Sequence, residues 1–416
     1  MPRPVSPRSV GRLLAGLAVT LLAVGGVRAQ TSLFGPETLH GLADIRLASG
    51  DGERGFLGGG FGKTGRTDNG LSLSDIALEW KPRLGFAASA VVSADYQPQL
   101  SPRLDWNEAY LKLKAPPSPL GKLQGRAGLY YPPVSMEHDG VAWSDPDMLS
   151  ASAINSWIGE EVKVAGVEAS LTRALGDHEL TATGGVFGWN DTAGTLLTFR
   201  GWALHGVRAG PHTAFALPRM SAFMTPRQAD ETYPVLELDC RPGYYGRLEW
   251  RPPAPVVLNA TYYDNGGNRT AVKDLQWSWE TRFLNLGARW DLSDTVRIQA
   301  QALNGETLMG FRRRGDRWID VGFRAAYLMV QKRLGEDMIS GRLDAFEVND
   351  RTLHALDNND ETGWAAAVDW RHRLSDHAAL VTEALYVTSD RPSRAYGGGA
   401  PRQDQTLVQS ALRLSF

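Results

Sequence analysis

Glu137, Asp139, Asp145 and Asp147 crowd one stretch of the chain, with His138 and Trp143 among them. Six cations stand elsewhere, Lys112, Lys114, Arg126, Arg289, Arg297 and Arg324, each between apolar or glycine neighbours. Fixed charges of opposite sign facing one another across water order that water and orient polar solutes. The chemistry such a set can do is electrostatic and steric filtering, with no covalent step. Covalent alternatives have less behind them. The sequence holds no Gly-x-Ser-x-Gly elbow and no His-Glu-x-x-His pair. Residues 58–64 read GGGFGKT, but a phosphate-binding loop would need Gly where Leu57 stands. His372 and His377 are five apart, which on a strand puts them on opposite faces. No metal and no cofactor is implied. Ser, His and Asp are abundant enough that an enzyme built on a barrel stays open as an alternative. Tryptophans and paired acids also suit a secreted or periplasmic β-rich carbohydrate-binding protein or hydrolase.

The elements that must position these residues are strands. Ala43, Ile45 and Leu47 share one face, with Asp44 and Arg46 on the other. Phe86, Ala88, Ala90, Val92, Ala94 and Tyr96 oppose Ser89, Ser93 and Asp95. Leu284, Leu286, Ala288 and Trp290 oppose Asn285 and Arg289, and Trp364, Ala366, Val368 and Trp370 oppose Asp369 and Arg371. The runs are roughly 9 to 13 residues, the length of a tilted strand crossing a bilayer. The apolar face is often Ala or Gly, which fills a soluble core badly and is acceptable toward lipid. Trp80, Tyr96, Tyr131, Trp250, Tyr262, Trp290, Tyr327, Trp370 and Tyr386 sit near run ends, as interfacial girdles require. The pattern degrades between Thr195 and Phe223 and around 234–250. The fold expected is all-β: a single transmembrane antiparallel β-barrel of about 16 strands, with 14 or 18 as alternatives. Lys81-Pro82-Arg83, Gly176-Asp177 and Ser375-Asp376 read as short turns at one end. Residues 50–66, 134–159, 304–318 and 389–403 read as long connections at the other. The stretch 134–159 exceeds the usual length of a structureless loop. It can lie on the rim or fold into the lumen, and we adopt the inward reading.

Arg3, Arg8 and Arg12 precede an apolar run from Leu13 to Val24, and Val27-Arg28-Ala29 offers small residues at the cleavage positions. Residues 1–29 are therefore expected to be a secretory signal peptide cut near Ala29-Gln30, leaving 30–416 as one domain. The whole chain carries a formal charge of −2; residues 1–29 hold four Arg and no acid, so the remainder stands at −6. That balance does not suggest a nucleic-acid binder. The single Cys240 cannot form an internal disulfide.

The last eleven residues alternate and end on Phe416. They resemble the closing strand of Gram-negative outer-membrane barrels, where a terminal aromatic is recognised by the barrel assembly machinery. DWNEAYLKL (105–113), GRAGLYYPPVSMEHDG (125–140) and SAINSWIGEE (152–161) resemble the porin-like barrels related to the phosphate-selective porins. This specific likeness spans about 105–171. It implies a strand ending in Gly-aromatic-Pro that leads into a lumenal loop with a nearby Glu. The group's arginine ladder is not reproduced, since inward Arg and Lys are mixed with acids. The expectation is a non-enzymatic outer-membrane porin passing small hydrophilic solutes or ions. Its constriction would be Glu137, Asp139, Trp143, Asp145 and Asp147, and its wall Lys112, Lys114, Arg126, Arg289, Arg297 and Arg324. The expected surroundings are the cell outer membrane, its lipid and lipopolysaccharide, with a homotrimer as one compatible assembly.

Overall fold

The computed structural model describes residues 33–65, 69–116, 118–313, 316–352 and 356–416. The expected signal peptide lies outside them. Sixteen strands close into a barrel. The first half is β1 (Leu39–Gly50), β2 (Gly70–Trp80), β3 (Ala88–Tyr96), β4 (Leu104–Lys114), β5 (Lys122–Tyr130), β6 (Val164–Leu175), β7 (His178–Gly188) and β8 (Gly243–Arg251). The second half is β9 (Val256–Asp264), β10 (Glu280–Ser293), β11 (Val296–Arg313), β12 (Asp316–Leu334), β13 (Asp337–Asp350), β14 (Glu361–Ser375), β15 (Ala378–Asp390) and β16 (Arg402–Ser415). Neighbours in sequence pair antiparallel, and β1 pairs with β16 from Leu42 opposite Ser415 to Gly50 opposite Leu407. Gly41 and Phe416 extend that seam through N–H···O bonds of 3.0 and 3.2 Å. The Phe416 ring occupies the space a side chain at residue 41 would need, so Gly41 is there for close approach.

Alternation decides which face is which. Leu343, Val368 and Trp290 point outward and are 60, 57 and 46% exposed, while Asp44, Gln301 and Glu383 point inward and are at most 2% exposed. An apolar exterior, with the charged residues of the strands turned inward, reverses the plan of a soluble β-sandwich and sets the carbohydrate-protein alternative aside. Seven of the nine girdle aromatics take outward positions. Tyr131 and Tyr327 do not: both are buried inside, and Tyr327 bonds Gln299 and Gln301 at 2.9 and 3.0 Å. Short connections, among them 176–177, 294–295, 335–336 and 376–377, share one end with both barrel termini. The expected long connection 304–318 is instead two extended strands, since β11 runs to Arg313 and β12 begins at Asp316.

Two segments from the other end fill the interior. Residues 131–163 carry α1 (Ala153–Glu161), and residues 189–242 carry α2 (Thr195–Phe199). Every residue of α1 is buried. Ser152 caps it by accepting the Asn155 N–H at 3.3 Å. Its Trp157 meets Trp202, Phe283 and Phe323 at ring separations of 6.0, 5.4 and 5.2 Å. Residues 134–159 thus lie in the lumen, not on the rim. The degraded pattern after Thr195 is explained too: that stretch is no wall strand but a second insertion.

Candidate functional site

The site is the polar space left between the two insertions and the wall. It is built by inward-facing charges that hold the insertions in place. Arg342 on β13 sits 3.6 Å from Glu137, pairs with Asp344 at 2.8 Å and donates to the Ser150 and Ala151 carbonyls at 2.6 and 3.0 Å. Glu383 on β15 accepts the Leu149 and Ser150 N–H groups at 3.1 and 3.0 Å. Arg413 on β16 joins Asp44 on β1 at 2.9 Å and donates to the Asp145 carbonyl at 2.9 Å. The second insertion is tied likewise. Glu160 of α1 takes Arg200 at 2.5 and 2.7 Å and His205 at 3.0 Å. Arg208 reaches Asp75 and Asp95 at 2.6 and 2.7 Å. Lys63 donates to the Arg200 carbonyl at 3.2 Å and pairs with Glu361, which accepts the Trp202 N–H at 2.9 Å and faces Arg391 at 3.5 Å. A buried charge is tolerated only when paired and hydrogen-bonded.

The residues singled out from sequence divide into two groups. Glu137 and Asp145 are buried, 2 and 7% exposed, and act as anchors. Glu137 accepts from Ser152 Oγ at 2.7 Å and Asn155 at 2.6 Å; Asp145 Oδ1 accepts the Asp147 and Met148 N–H groups at 2.8 and 3.1 Å. Burial, reinforced by Glu137 and Asp147, pushes the Asp145 carboxyl well above the usual range. Trp143 is clamped between Tyr131 and His138, with ring separations of 3.7 and 3.8 Å. His138 bonds Ser135 Oγ at 2.8 Å, and burial, then Arg208, hold it well below its ordinary pKa, as a neutral ring. Asp139 is exposed and Asp147 half-buried, and both interact with Arg297, while Arg289 also faces Asp139. Burial, then the Asp147 charge, raises the Asp139 carboxyl.

Of the wall cations, Lys112, Lys114, Arg126, Arg289 and Arg297 take inward positions. Arg126 pairs with Glu168 at 2.8 Å and lies 4.0 Å over the Tyr130 ring. Arg297 pairs with Asp291 at 2.7 Å. Arg324 departs from expectation. On β12 the large side chains of Phe323 and Tyr327 take the interior, so Arg324 points outward, 68% exposed, and pairs with Glu347 at 2.6 Å. A polar cavity of about 30 Å³ lies against β1–β3 and β16, lined by Arg46, Asp75, Gln97, Ser150, His205 and Gln409. Sequence reading missed Arg342, Arg208, Glu160 and Glu383. The one available signal was a charge at Arg200 and Arg208 in a stretch with no alternating face.

Among the described residues, Asp191, Glu237 and Asp239 bring ligand atoms within 4.8 Å of one another. Their oxygens already accept the N–H groups of Asp239, Trp189 and Arg241, at 3.1, 2.9 and 2.8 Å, so the cluster staples the second insertion.

No protein-family model and no curated protein sequence matches the chain. Solved structures do. The outer membrane channel DcaP of Acinetobacter baumannii is 12% identical, with a TM-score of 0.55 over 91% of this chain and 96% of its own. An anion-selective porin from Comamonas acidovorans is 14% identical, with a TM-score of 0.53 over 91 and 99%. OprB of Pseudomonas putida is 11% identical, with a TM-score of 0.51 over 91 and 93%. The chain therefore has the closed sixteen-stranded fold of outer-membrane porins.

Proposed function

We propose that the protein is an outer-membrane porin, a passive diffusion channel for small hydrophilic solutes or ions, filtered by charge and size where the 131–163 insertion narrows the lumen. One observation carries this reading: the insertion is fixed inside a closed barrel with Asp139 and Asp147 set against Arg289 and Arg297. Opposed charges there impose a transverse field on whatever passes. The likeness of 105–171 to the phosphate-selective-porin-like group supports the placement of the loop. It does not extend to anion preference, since Arg126 and Arg297 are both neutralised by acids. The rest of the reading follows from location: export by residues 1–29, assembly through the strand ending at Phe416, contact with lipid and lipopolysaccharide, and a homotrimer as one assembly.

Pure protein in a planar bilayer tests it. Stepwise conductance with a measurable reversal potential in a salt gradient is expected. Recovery of the protein in the soluble periplasmic fraction, or a silent bilayer from folded barrel, would overturn it.

A further inference from the structure

The two insertions meet the wall in a closed ring of hydrogen bonds, and that ring frames the polar cavity beside β1–β3. Gln409 on β16 donates to Ser150 Oγ of the first insertion at 3.1 Å. The Ala151 N–H crosses to the second insertion, onto the His205 carbonyl at 3.2 Å. Three residues on, the Arg208 carbonyl accepts Gln97 Nε2 at 3.0 Å, and Gln97 directly follows β3. The wall from β3 back through β2 and β1 to β16 completes the circuit. Residues 205–207 are thus one side of an opening whose other sides are the wall and the first insertion. Ser156 of α1 holds them from behind, accepting the His205 N–H at 2.9 Å and donating to the His205 carbonyl at 3.1 Å. A side chain at Gly65 would begin 2.8 Å from that of His205, so glycine is required where the 50–66 connection crosses the rim.

Width and lining define what this eyelet passes. Its volume of about 30 Å³ is room for about two water molecules. Each charged group at its rim is paired. Arg46 lies on Asp44 at 2.8 Å, Asp75 on Arg208 at 2.6 Å and His205 on Glu160 at 3.0 Å. Asp44 also serves Arg413, and Arg208 also serves Asp95, so this set holds three arginines and three aspartates. Glu383 lies further back and is taken up by Gln409 at 2.9 Å and by two backbone N–H groups. Amides and hydroxyls are left to line the opening, from Gln97, Gln99, Gln409 and Ser150. Such groups donate and accept alike, and they match a solute that carries hydroxyl or amide groups without a net charge. The filter at Asp139 and Asp147 differs in kind and in place. Its opposed charges act on ions, and its arginines lie beside the short turn 294–295, whereas the eyelet adjoins the long connections 50–66 and 97–103.

We propose that the channel sorts solutes at two separate places, and that the second insertion sets the size limit. Residues 205–207, closed against Gln97, Gln99 and Ser150, form an eyelet for compact, uncharged, hydrogen-bonding solutes of urea or glycerol size. A hexose, several waters in bulk, is excluded there. Charge is sorted at Asp139 and Asp147. The proposal rests on the conduction reading and refines it: the first insertion supplies one side of the eyelet, and the second closes it.

The test is swelling of liposomes that carry the full-length barrel, with urea, glycerol and glucose as probes, and reversal potential in a KCl gradient on the same preparation. Wild type is expected to admit glycerol roughly tenfold faster than glucose. Gln97→Ala combined with Gln99→Ala opens the rim without removing a charge. It should raise glucose entry severalfold at an unchanged reversal potential. Asp139→Asn should do the reverse, moving the reversal potential and leaving the ratio of glycerol to glucose entry as it was. A change made after folding gives an independent check. With the exposed Cys240 replaced by Ser, Gln99→Cys modified by a bulky neutral methanethiosulfonate should lose most glycerol entry, and a reductant should restore it. Glucose entering wild type as fast as glycerol overturns the proposal, as does glycerol entry that the Gln99→Cys adduct leaves untouched. In both cases the barrel still passes solute, so the conduction reading stands. No uptake of any probe, with a silent bilayer from folded barrel, brings down conduction and the eyelet together.

Discussion

Asp139 is the acid of the inserted loop most open to the lumen, and its carboxyl is raised by burial and by Asp147. A raised carboxyl takes up its proton at a higher pH than a free aspartate, so its charge disappears earlier on acidification. Cation preference, read as reversal potential in a KCl gradient, should therefore begin to fall at a higher pH than an ordinary aspartate would set. Asp139→Asn should start at the low value and show a flatter profile; an unchanged profile would remove Asp139 from the filter. Glu160 behaves in the opposite sense. Arg200 and His205 overcome its burial and lower it from 4.5 to about 2. Its folded pKa lies below its unfolded one, so its stabilisation is complete above about 4.5 and drains away as pH falls through about 2. Glu160→Gln leaves Arg200 buried without its partner, at a cost of about 3 to 5 kcal/mol. The denaturation midpoint at pH 7 should drop accordingly, and the variant should differ little from wild type in strong acid. Facing was the part of the residue reading that charge could not supply. Above the belt both faces of a strand are wet, so the charge on Arg324 carried no information about its direction. Alternation within β12, set by Phe323 and Tyr327, did.

At the scale of elements, the strands were legible because lipid imposes period two over their whole length. The count of sixteen follows from that rhythm. The second insertion was not legible. Its groups are satisfied from outside the segment, Arg208 by Asp75 and Asp95 of the wall, Arg200 by Glu160 of α1 and the Arg200 carbonyl by Lys63, so nothing in its own periodicity announces burial. The first insertion stood out only through its length and its cluster of acids. α1 is the rigid part of that insertion, and Trp157 is its main anchor, fully buried among three aromatic rings. Trp157→Ala should cost about 3 to 5 kcal/mol locally. The barrel itself should persist, because the strand ladder is separate from the helix. The expected signature is a barrel with unchanged far-ultraviolet circular dichroism but noisier and larger single-channel currents. Quiet currents of wild-type size would show that the helix does not limit the opening. The closing strand makes a different kind of prediction. Deleting Phe416 removes its backbone pairing and the ring over Gly41, yet β16 keeps thirteen registered partners on β15. Yield of assembled barrel in cells should fall severalfold, while conductance of the fraction that does assemble stays the same.

The whole molecule is asymmetric, and that asymmetry locates the path. From β7 to β13 the inner wall presents Phe187, Tyr245, Tyr263, Phe283, Phe323 and Phe346, merged with the insertions into one apolar core. From β16 through β3 it presents Arg413, Gln409, Asp44, Arg46, Asp75 and Asp95, and the polar cavity lies on this side. Water and ions require polar partners along their route, and a tightly filled aromatic region offers none. Arg289 and Arg297 lie beside the short turn 294–295, away from these rings, so past the filter conduction should follow the β16–β3 side. Cysteine accessibility can decide this once the exposed Cys240 is replaced by Ser. A charged methanethiosulfonate reagent should cut the current through an Arg46→Cys barrel and leave Thr261→Cys untouched. Thr261 is the informative control, because it faces inward on β9 yet is 0% exposed. If the reagent blocks current at Thr261→Cys and spares Arg46→Cys, the route runs through the aromatic half, and the two insertions must move aside for transport.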